Sequence, residues 1–187
     1  MKTLANIKKD MEFNRGLSSL IDVLKNIAVS QYRALENKLK SYEKFENFVE
    51  SFFDFIDFAQ AHHPFLTPQS SAQAVVAVTS DSGLLGGLNM QVVNKAIVEL
   101  EKTPGRLIVI GERGKAYARD SLIPFVAFPG IKEDQRHSQA MQLRDFLLSK
   151  VLQKEFGMLK VVYPRPLSFT VQKVETVSFL PFTPAHL

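Results

Sequence analysis

The feature that most constrains this chain is a long stretch without glycine or proline, between Gly16 and Pro64. Both residue types interrupt helices, so their absence allows one unbroken helix of about 45 residues. Helices of globular proteins average about 11–12 residues. A helix of this length needs a special explanation, such as a second helix packed along it.

Apolar residues recur along this stretch at a period near 3.5, as in a helix wound against another helix. Heptad a positions hold Ile7, Asn14, Ile21, Ala28, Leu35, Tyr42, Val49 and Ile56, and d positions hold Asp10, Leu17, Leu24, Gln31, Lys38, Phe45 and Phe52. We call these two sets the seam. The rest of the chain is too small to cover residues 1–40, which therefore need a partner. The Phe-rich end beyond Tyr42 is expected to pack on its own domain.

After Pro64 the sequence changes to short apolar runs separated by glycine and proline. These runs predict strands at residues 74–79, 106–110, 123–128 and 158–163, and an alternating edge strand at 169–180. Helices are predicted at residues 90–102, in a short segment ending at Asp120, and at 138–156. Strands that alternate with helices imply a mostly parallel sheet. We therefore predict an α/β fold: a long N-terminal helix (1–66), half of a coiled coil, and a Rossmann-like, mostly parallel α/β domain (67–187).

Composition excludes several classes of protein. Hydrophobic residues make up 45% and charged residues 22% of the 187 residues, which excludes wholesale disorder. The absence of cysteine excludes disulfides, thiolate zinc sites and cysteine nucleophiles. The N-terminus lacks the apolar core of a secretory signal, so a cytoplasmic protein is expected. The net charge of +4 does not by itself indicate nucleic acid.

The densest motif is the glycine-rich turn from Thr79 to Asn89, between the first strand and its helix. Such a turn could present N–H groups to a phosphate, but this one is neither GxGxxG nor a P-loop. A tight structural turn or a protein-contact loop is favoured. A small nucleotide-binding protein or enzyme that uses Gly83–Gly87 remains the alternative. The four histidines and Asp81 have no spaced catalytic partner, so no catalytic, cofactor-binding or metal-binding residues are predicted.

The residues Val78–Asn89 closely resemble the signature S-D-R-G-L-C-G-G-L-N of the gamma subunit of F-type ATP synthases. Ile110–Gly114 is similar to the I-G-x-K-G of that family, and Val161–Tyr163 followed by Phe179–Pro181 is similar to its V-Y-N-x-F … L-L-P. The resemblance covers nearly the whole chain. Ser82 replaces the usual arginine and Leu85 the usual cysteine, so a charged contact from the turn is expected to be absent.

The resemblance implies a non-catalytic rotor subunit, the central stalk, without a cofactor of its own. In that family the N-terminal helix pairs antiparallel with a C-terminal helix to form an axle inside the ring of alpha and beta subunits. The α/β domain touches the epsilon subunit and the membrane c-ring, at the cytoplasmic face of the inner membrane, as a peripheral protein. The subunit couples ion-driven rotation of the c-ring to ATP synthesis and hydrolysis in the alpha–beta ring.

Partner contacts are expected in three groups. Seam residues would face the second helix: Ile7, Ile21, Leu24, Ala28, Leu35 and Tyr42. Basic residues would face the acidic inner surface of the ring: Arg33, Lys38 and Lys40. Turn residues would contact neighbouring subunits: Asp81, Gly83, Leu84, Gly86, Gly87 and Asn89.

The sequence ends at Leu187, before the C-terminal helix of that family would begin. Two explanations stay open: a truncated or processed fragment, and a divergent gamma-like protein. The coupling ion, proton or sodium, is open as well. In isolation the unpaired helix is expected to fray or to form a homodimer. A free-standing coiled-coil adaptor is a third hypothesis for the chain.

Overall fold

The computed structural model describes residues 3–53, 55, 62–83, 85–168 and 170–183, with the backbone alone for residues 39–41, 43, 46, 50 and 53. The chain divides into two units, Met1–Ile56 and Asp57–Leu187.

The first unit is one helix, α1, from Leu4 to Phe53. At 1.5 Å per residue, its 50 residues span roughly 75 Å. The helix continues through Gly16, where an added Cβ would meet nothing within 4 Å. An internal glycine costs a helix only about 1 kcal/mol, so it does not stop one of this length. The long helix is thus confirmed up to Phe53, and Ile56 of the seam lies outside the described residues. No helix among those described is long and apolar enough to cross a membrane.

The second unit is built on a five-stranded sheet. In chain order its strands are β1 (Gln73–Val78), β2 (Gly105–Ile110), β3 (Phe125–Phe128), β4 (Met158–Pro166) and β5 (Gln172–Leu180). Their order across the sheet is β3-β2-β1-β4-β5. The first four strands pair in parallel, and β5 pairs antiparallel with β4 as an edge strand. The predicted fold class, a long helix plus a mostly parallel α/β domain, is confirmed.

Three helices cover this sheet: α2 (Leu88–Lys102), α3 (Glu112–Asp120) and α4 (Arg136–Leu152). The prediction that α4 continues to Phe156 is wrong. Lys154 has a φ of 60°, which turns the chain out of the helix. Phe156, now outside α4, is buried in the core. Burial of its aromatic ring outweighs another turn of helix, since fully burying a phenylalanine is worth about 1.5–3 kcal/mol.

The sheet is buried on both faces, which explains the continuous apolar run of β1. On one face Val75 and Ala77 pack with Val92 of α2 and Ala118 of α3. On the other face Val76 packs in a cluster with Ile108 and with Val151 of α4. Phe65, which precedes the first strand, packs on that second cluster and so belongs to the sheet unit by its contacts.

A buried carboxylate ties α2 to β4. Glu99 is 5% exposed, and its two oxygens accept from Lys102 Nζ at 2.6 Å and from Lys160 Nζ at 2.7 Å. Hydrogen bonds from Lys102 and then Lys160 lower the pKa of Glu99 from 4.5 to about 2, against a smaller opposing effect of burial. Since Glu99 is on α2 and Lys160 on β4, the ionised carboxylate fixes the helix on the sheet.

Candidate partner-contact surfaces

The seam of α1 is exposed along the helix. Ile21, Leu24 and Leu35 are 55%, 57% and 53% exposed, and Ile7, Ala28 and Tyr42 are exposed as well. Leaving such side chains in water forfeits about 1.5–3 kcal/mol for each large one that a partner would bury. The six expected seam contacts therefore share one helix and one accessible stripe.

The apolar surface of α1 is wider than the seam. Phe13, Leu20 and Ile27 recur every seven residues at the g positions and are 69%, 55% and 49% exposed. These three residues are not among the expected contacts, although the same heptad spacing identifies them. Three apolar positions per heptad form a broad stripe, wider than a two-helix seam requires.

The three expected basic contacts do not form one patch. Arg33 is exposed, Lys38 is half-buried on the seam, and the side chain of Lys40 lies outside the described residues. At 100° per residue, Arg33 and Lys38 are separated by about 140° around the helix. Arg33 and the backbone of Lys40 are seven residues apart, which places both on the side of α1 away from the seam.

The glycine-rich turn of the second unit begins at Thr79, which is buried after β1. Its hydroxyl donates to the carbonyl of Ile110 and accepts from the N–H of Gly114 at 3.0 Å. A Cβ on Gly114 would collide with this hydroxyl. Glycine at this position lets α3 approach the strand, and Thr79 fixes where the turn starts.

Asn89 closes the turn at the start of α2. Its side chain is buried; Oδ1 accepts from the N–H of Ser80 at 3.1 Å, and Nδ2 donates to Ser80 Oγ at 3.0 Å. The carbonyl of Ser80 accepts from the N–H of Arg113 at 3.0 Å. The structure thus gives Asn89 a role in shaping the turn, and its contact with a partner stays a prediction.

Two charged groups lie at this turn. The exposed Asp81 accepts from the N–H of Glu112 at 2.9 Å, where the dipole of α3 favours a negative charge. Gly83 lies under the guanidinium of Arg113, because an added Cβ would be 2.7 Å from Nη2. The guanidinium of Arg113, on α3, therefore lies against the turn, whereas Ser82 within the turn is uncharged.

Gly86 and Gly87 complete the exposed part of the turn. Gly86 has a φ of 54°, which favours glycine, and Gly87 precedes the first residue of α2. Leu84 lies outside the described residues. The N–H groups of Ser80, Leu88 and Glu112 donate to acceptors within the chain, so they are not available to cradle a phosphate. The geometry supports a protein-contact turn more than a nucleotide site.

Comparison with protein families shows to which family this combination of a long helix and an α/β domain belongs. The family model described as ATP synthase matches residues 3–187. The chain belongs to the ATP synthase family. Members similar to it include the ATP synthase gamma chain of Clostridium beijerinckii, 25% identical over 96% of this chain and 66% of the relative. The gamma chain of Clostridium acetobutylicum is 34% identical over 64% of this chain and 43% of the relative. The chain thus spans less than two thirds of these two relatives.

A solved structure from the ATP synthase family has the same fold. The central stalk and c-ring structure of the Tetrahymena thermophila mitochondrial ATP synthase contains a chain that superposes with a TM-score of 0.67. The two share 16% of their residues, over 87% of this chain and 72% of that one. At this identity the likeness concerns the fold alone.

Proposed function

We propose that this chain is a gamma-type subunit of a rotary ATP synthase and that it acts in the central stalk. The observation that carries the proposal is α1, an unbroken helix of 50 residues whose seam is exposed. A helix of this kind gains stability when other helices surround it. The family match and the gamma-chain relatives support the same function.

In the proposed complex α1 is one of the helices of the axle, inside the ring of alpha and beta subunits. Ile7, Ile21, Leu24, Ala28, Leu35 and Tyr42 face a second helix of the axle. The g positions Phe13, Leu20 and Ile27 extend the apolar surface toward the ring. Arg33 and Lys40, on the opposite side, face the ring as well, whereas Lys38 lies on the seam between the two helices.

The sheet unit forms the base of the stalk. The glycine-rich turn of this unit contacts the neighbouring subunits, which are the epsilon subunit and the c-ring. The residues that form or shape this contact are Asp81, Gly83, Leu84, Gly86, Gly87 and Asn89. The subunit is peripheral, at the cytoplasmic face of the inner membrane.

The subunit is non-catalytic and transmits rotation. The alpha–beta ring contacts a different side of α1 at each rotor angle, so each angle favours a different conformation at the nucleotide sites of the ring. Rotation and nucleotide binding are coupled because α1 makes different contacts with each conformation of the ring. A continuous helix suits the task because its backbone hydrogen bonds resist bending between base and tip.

Assembly with the ring tests this proposal. Coexpressed with the alpha and beta subunits of its own organism, the chain should copurify with them. Ile21→Asp should abolish copurification, because it buries a charge in the seam. Ser19→Asp, exposed two residues away on another side of α1, is the matched control and should assemble. Failure of the unaltered chain to join the ring, or equal assembly of both variants, would contradict the proposal.

A further inference from the structure

We infer that Asp81 holds a second loop, residues 129–135 between β3 and α4, beside the glycine-rich turn, and that this second loop contacts the same partner subunit as the turn. The inference rests on the proposed function in one respect, the assignment of the glycine-rich turn as a contact surface. It goes further by giving Asp81 a positioning role and by adding residues that are not among the expected contacts.

The topology brings the glycine-rich turn and the second loop to one edge of the sheet. The turn follows β1 and the second loop follows β3, and β1, β2 and β3 are parallel neighbours. The carboxyl ends of parallel strands lie at the same edge. α3 follows β2 and begins between the two segments, where the N–H of Gly111 donates to the carbonyl of Phe128 at 3.2 Å. The turn, the start of α3 and the second loop are therefore neighbours.

The carboxylate of Asp81 lies directly on Gly130 of the second loop. A Cβ added to Gly130 would collide with both carboxylate oxygens, so these oxygens occupy the space that a side chain would need. Gly130 is buried, although the other residues of the second loop are exposed. Oδ1 of Asp81 also accepts from the N–H of Glu112 at 2.9 Å. One carboxylate of the turn thus contacts both the start of α3 and the second loop.

Gln139 of α4 holds the second loop from its other side. Its Nε2 donates to the carbonyl of Gly130 at 2.9 Å, and its Oε1 accepts from the N–H of Lys132 at 2.9 Å. These two bonds fix the backbone on both sides of Ile131, whose side chain is 58% exposed. Because a backbone that is already fixed loses little conformational entropy on binding, an apolar side chain at this position is well suited to a protein contact.

The surface formed by the turn and the second loop fits a protein partner. Leu85 in the turn and Ile131 in the second loop are exposed apolar residues, and charged residues surround them. An apolar centre with a charged rim is typical of protein–protein interfaces. An anionic membrane or a nucleic acid would require an excess of basic residues. The charges of the second loop and the first residue of α4 balance instead: Lys132, Arg136, Glu133 and Asp134.

Site-specific photocrosslinking tests whether the two segments share a partner. The photoreactive residue p-benzoylphenylalanine replaces Leu85, Ile131 or Leu122 in the full chain, assembled with the other ATP synthase subunits of its organism. Positions 85 and 131 should crosslink to the same subunit. Leu122 is the matched control, because it is 91% exposed but lies before β3, at the opposite edge of the sheet, and it should not crosslink to that subunit.

The crosslinks separate this inference from the proposed function. A crosslink from position 85 with none from position 131, or crosslinks from the two positions to different subunits, overturns the inference and leaves the proposed function intact. Absence of a crosslink from position 85 in the assembled complex contradicts the proposed contact of the turn, and the inference fails with it.

Substitutions at Asp81 and Gly130 test the positioning role. Asp81→Ala removes the carboxylate and Gly130→Ala displaces it, so each should lower the crosslink yield from position 131 about threefold or more. The double variant should lose no more than either single variant, because both changes break one contact. Asp81→Asn should restore most of the yield, since its amide keeps the flat shape and the acceptor oxygen. Additive losses, or no rescue by Asp81→Asn, would show that Asp81 does not act through Gly130.

Hydrogen exchange in the full chain distinguishes positioning from general stability. In Asp81→Ala the amides of Lys132 and Gln135 should exchange about threefold faster or more, because the second loop is held on one side only. The amides of β1 should keep their protection. Ser82→Ala, an exposed neighbour in the turn, is the control and should leave exchange in the second loop unchanged. Unchanged exchange in the second loop of Asp81→Ala, or loss of protection throughout the sheet, overturns the inference.

Discussion

Some single side chains inside the sheet unit make contacts that the sequence pattern does not reveal. In the sequence Glu99 is one acidic position on an amphipathic helix, yet it is almost fully buried between two lysines of different elements. Asn89 is predicted to contact a partner, and the structure shows in addition that its amide is hydrogen-bonded to Ser80. Lys102 is three residues from Glu99 on the same helix, so helical spacing predicts that contact. Lys160 and Ser80 lie on another strand and in the turn, so local spacing could not predict theirs.

The lowered pKa of Glu99 predicts a pH-dependent stability of the sheet unit. Because the folded-state pKa is about 2 and the ordinary value is 4.5, ionisation stabilises the fold above about pH 4.5, and this stabilisation is lost as the pH falls toward 2. Glu99→Gln should lower the free energy of unfolding by about 1–3 kcal/mol at pH 7, and by progressively less below pH 4.5.

Hydrogen exchange of the β1 and β4 amides measures this effect without interference from α1. The control is Glu101→Gln, an exposed neighbour on α2 that should change protection little. A Glu99→Gln difference that stays constant from pH 7 to pH 2 would show that the ionised carboxylate is not the cause.

Among the elements, those with a strong and uninterrupted pattern were predictable. The absence of glycine and proline located the part of α1 after Gly16, and the run Ala74–Val78 located the doubly covered β1. The end of α4 was not predictable from periodicity, because it depends on Lys154 adopting a positive φ and on the burial of Phe156. The helix stripe and the turn stay predictions as contact sites, and the sequence pattern did not show that Arg113 of α3 lies against the turn.

Gly16 offers a test at the level of the helix. It lies inside α1 with open space around the position of a Cβ, and it is a c position away from the seam. Gly16→Ala should therefore stabilise the N-terminal part of α1 by about 0.5–1 kcal/mol, mainly by restricting the unfolded chain. Circular dichroism at 222 nm should show more helix at a given temperature. An unchanged or lower helical signal would mean that this part of the helix is not formed in solution. The control is Ser19→Ala, in which the residue has a Cβ before and after the substitution.

In the whole molecule, a substitution of Arg33 tests the proposed coupling separately from stability. It is exposed and away from the seam, so its charge contributes little to folding. In the proposed complex, where Arg33 faces an acidic inner surface of the ring, Arg33→Glu should reduce ion transport per ATP hydrolysed, because repulsion changes the contacts at each rotor angle. Arg33→Gln should have a smaller effect of the same sign. Loss of hydrogen-exchange protection in α1, with coupling intact, would contradict this assignment.

The strand order has a consequence for synthesis of the chain on the ribosome. β1 is central, but its two neighbours appear at very different times: β2 begins at Gly105, whereas β4, which pairs Met158 with Gln73, comes much later. Until β4 emerges, one side of β1 has unpaired backbone N–H and C=O groups, an edge to which other chains can bind. The β4–β5 hairpin is local and closes quickly once made. We therefore expect nascent chains that end between β3 and β4 to depend most on chaperones.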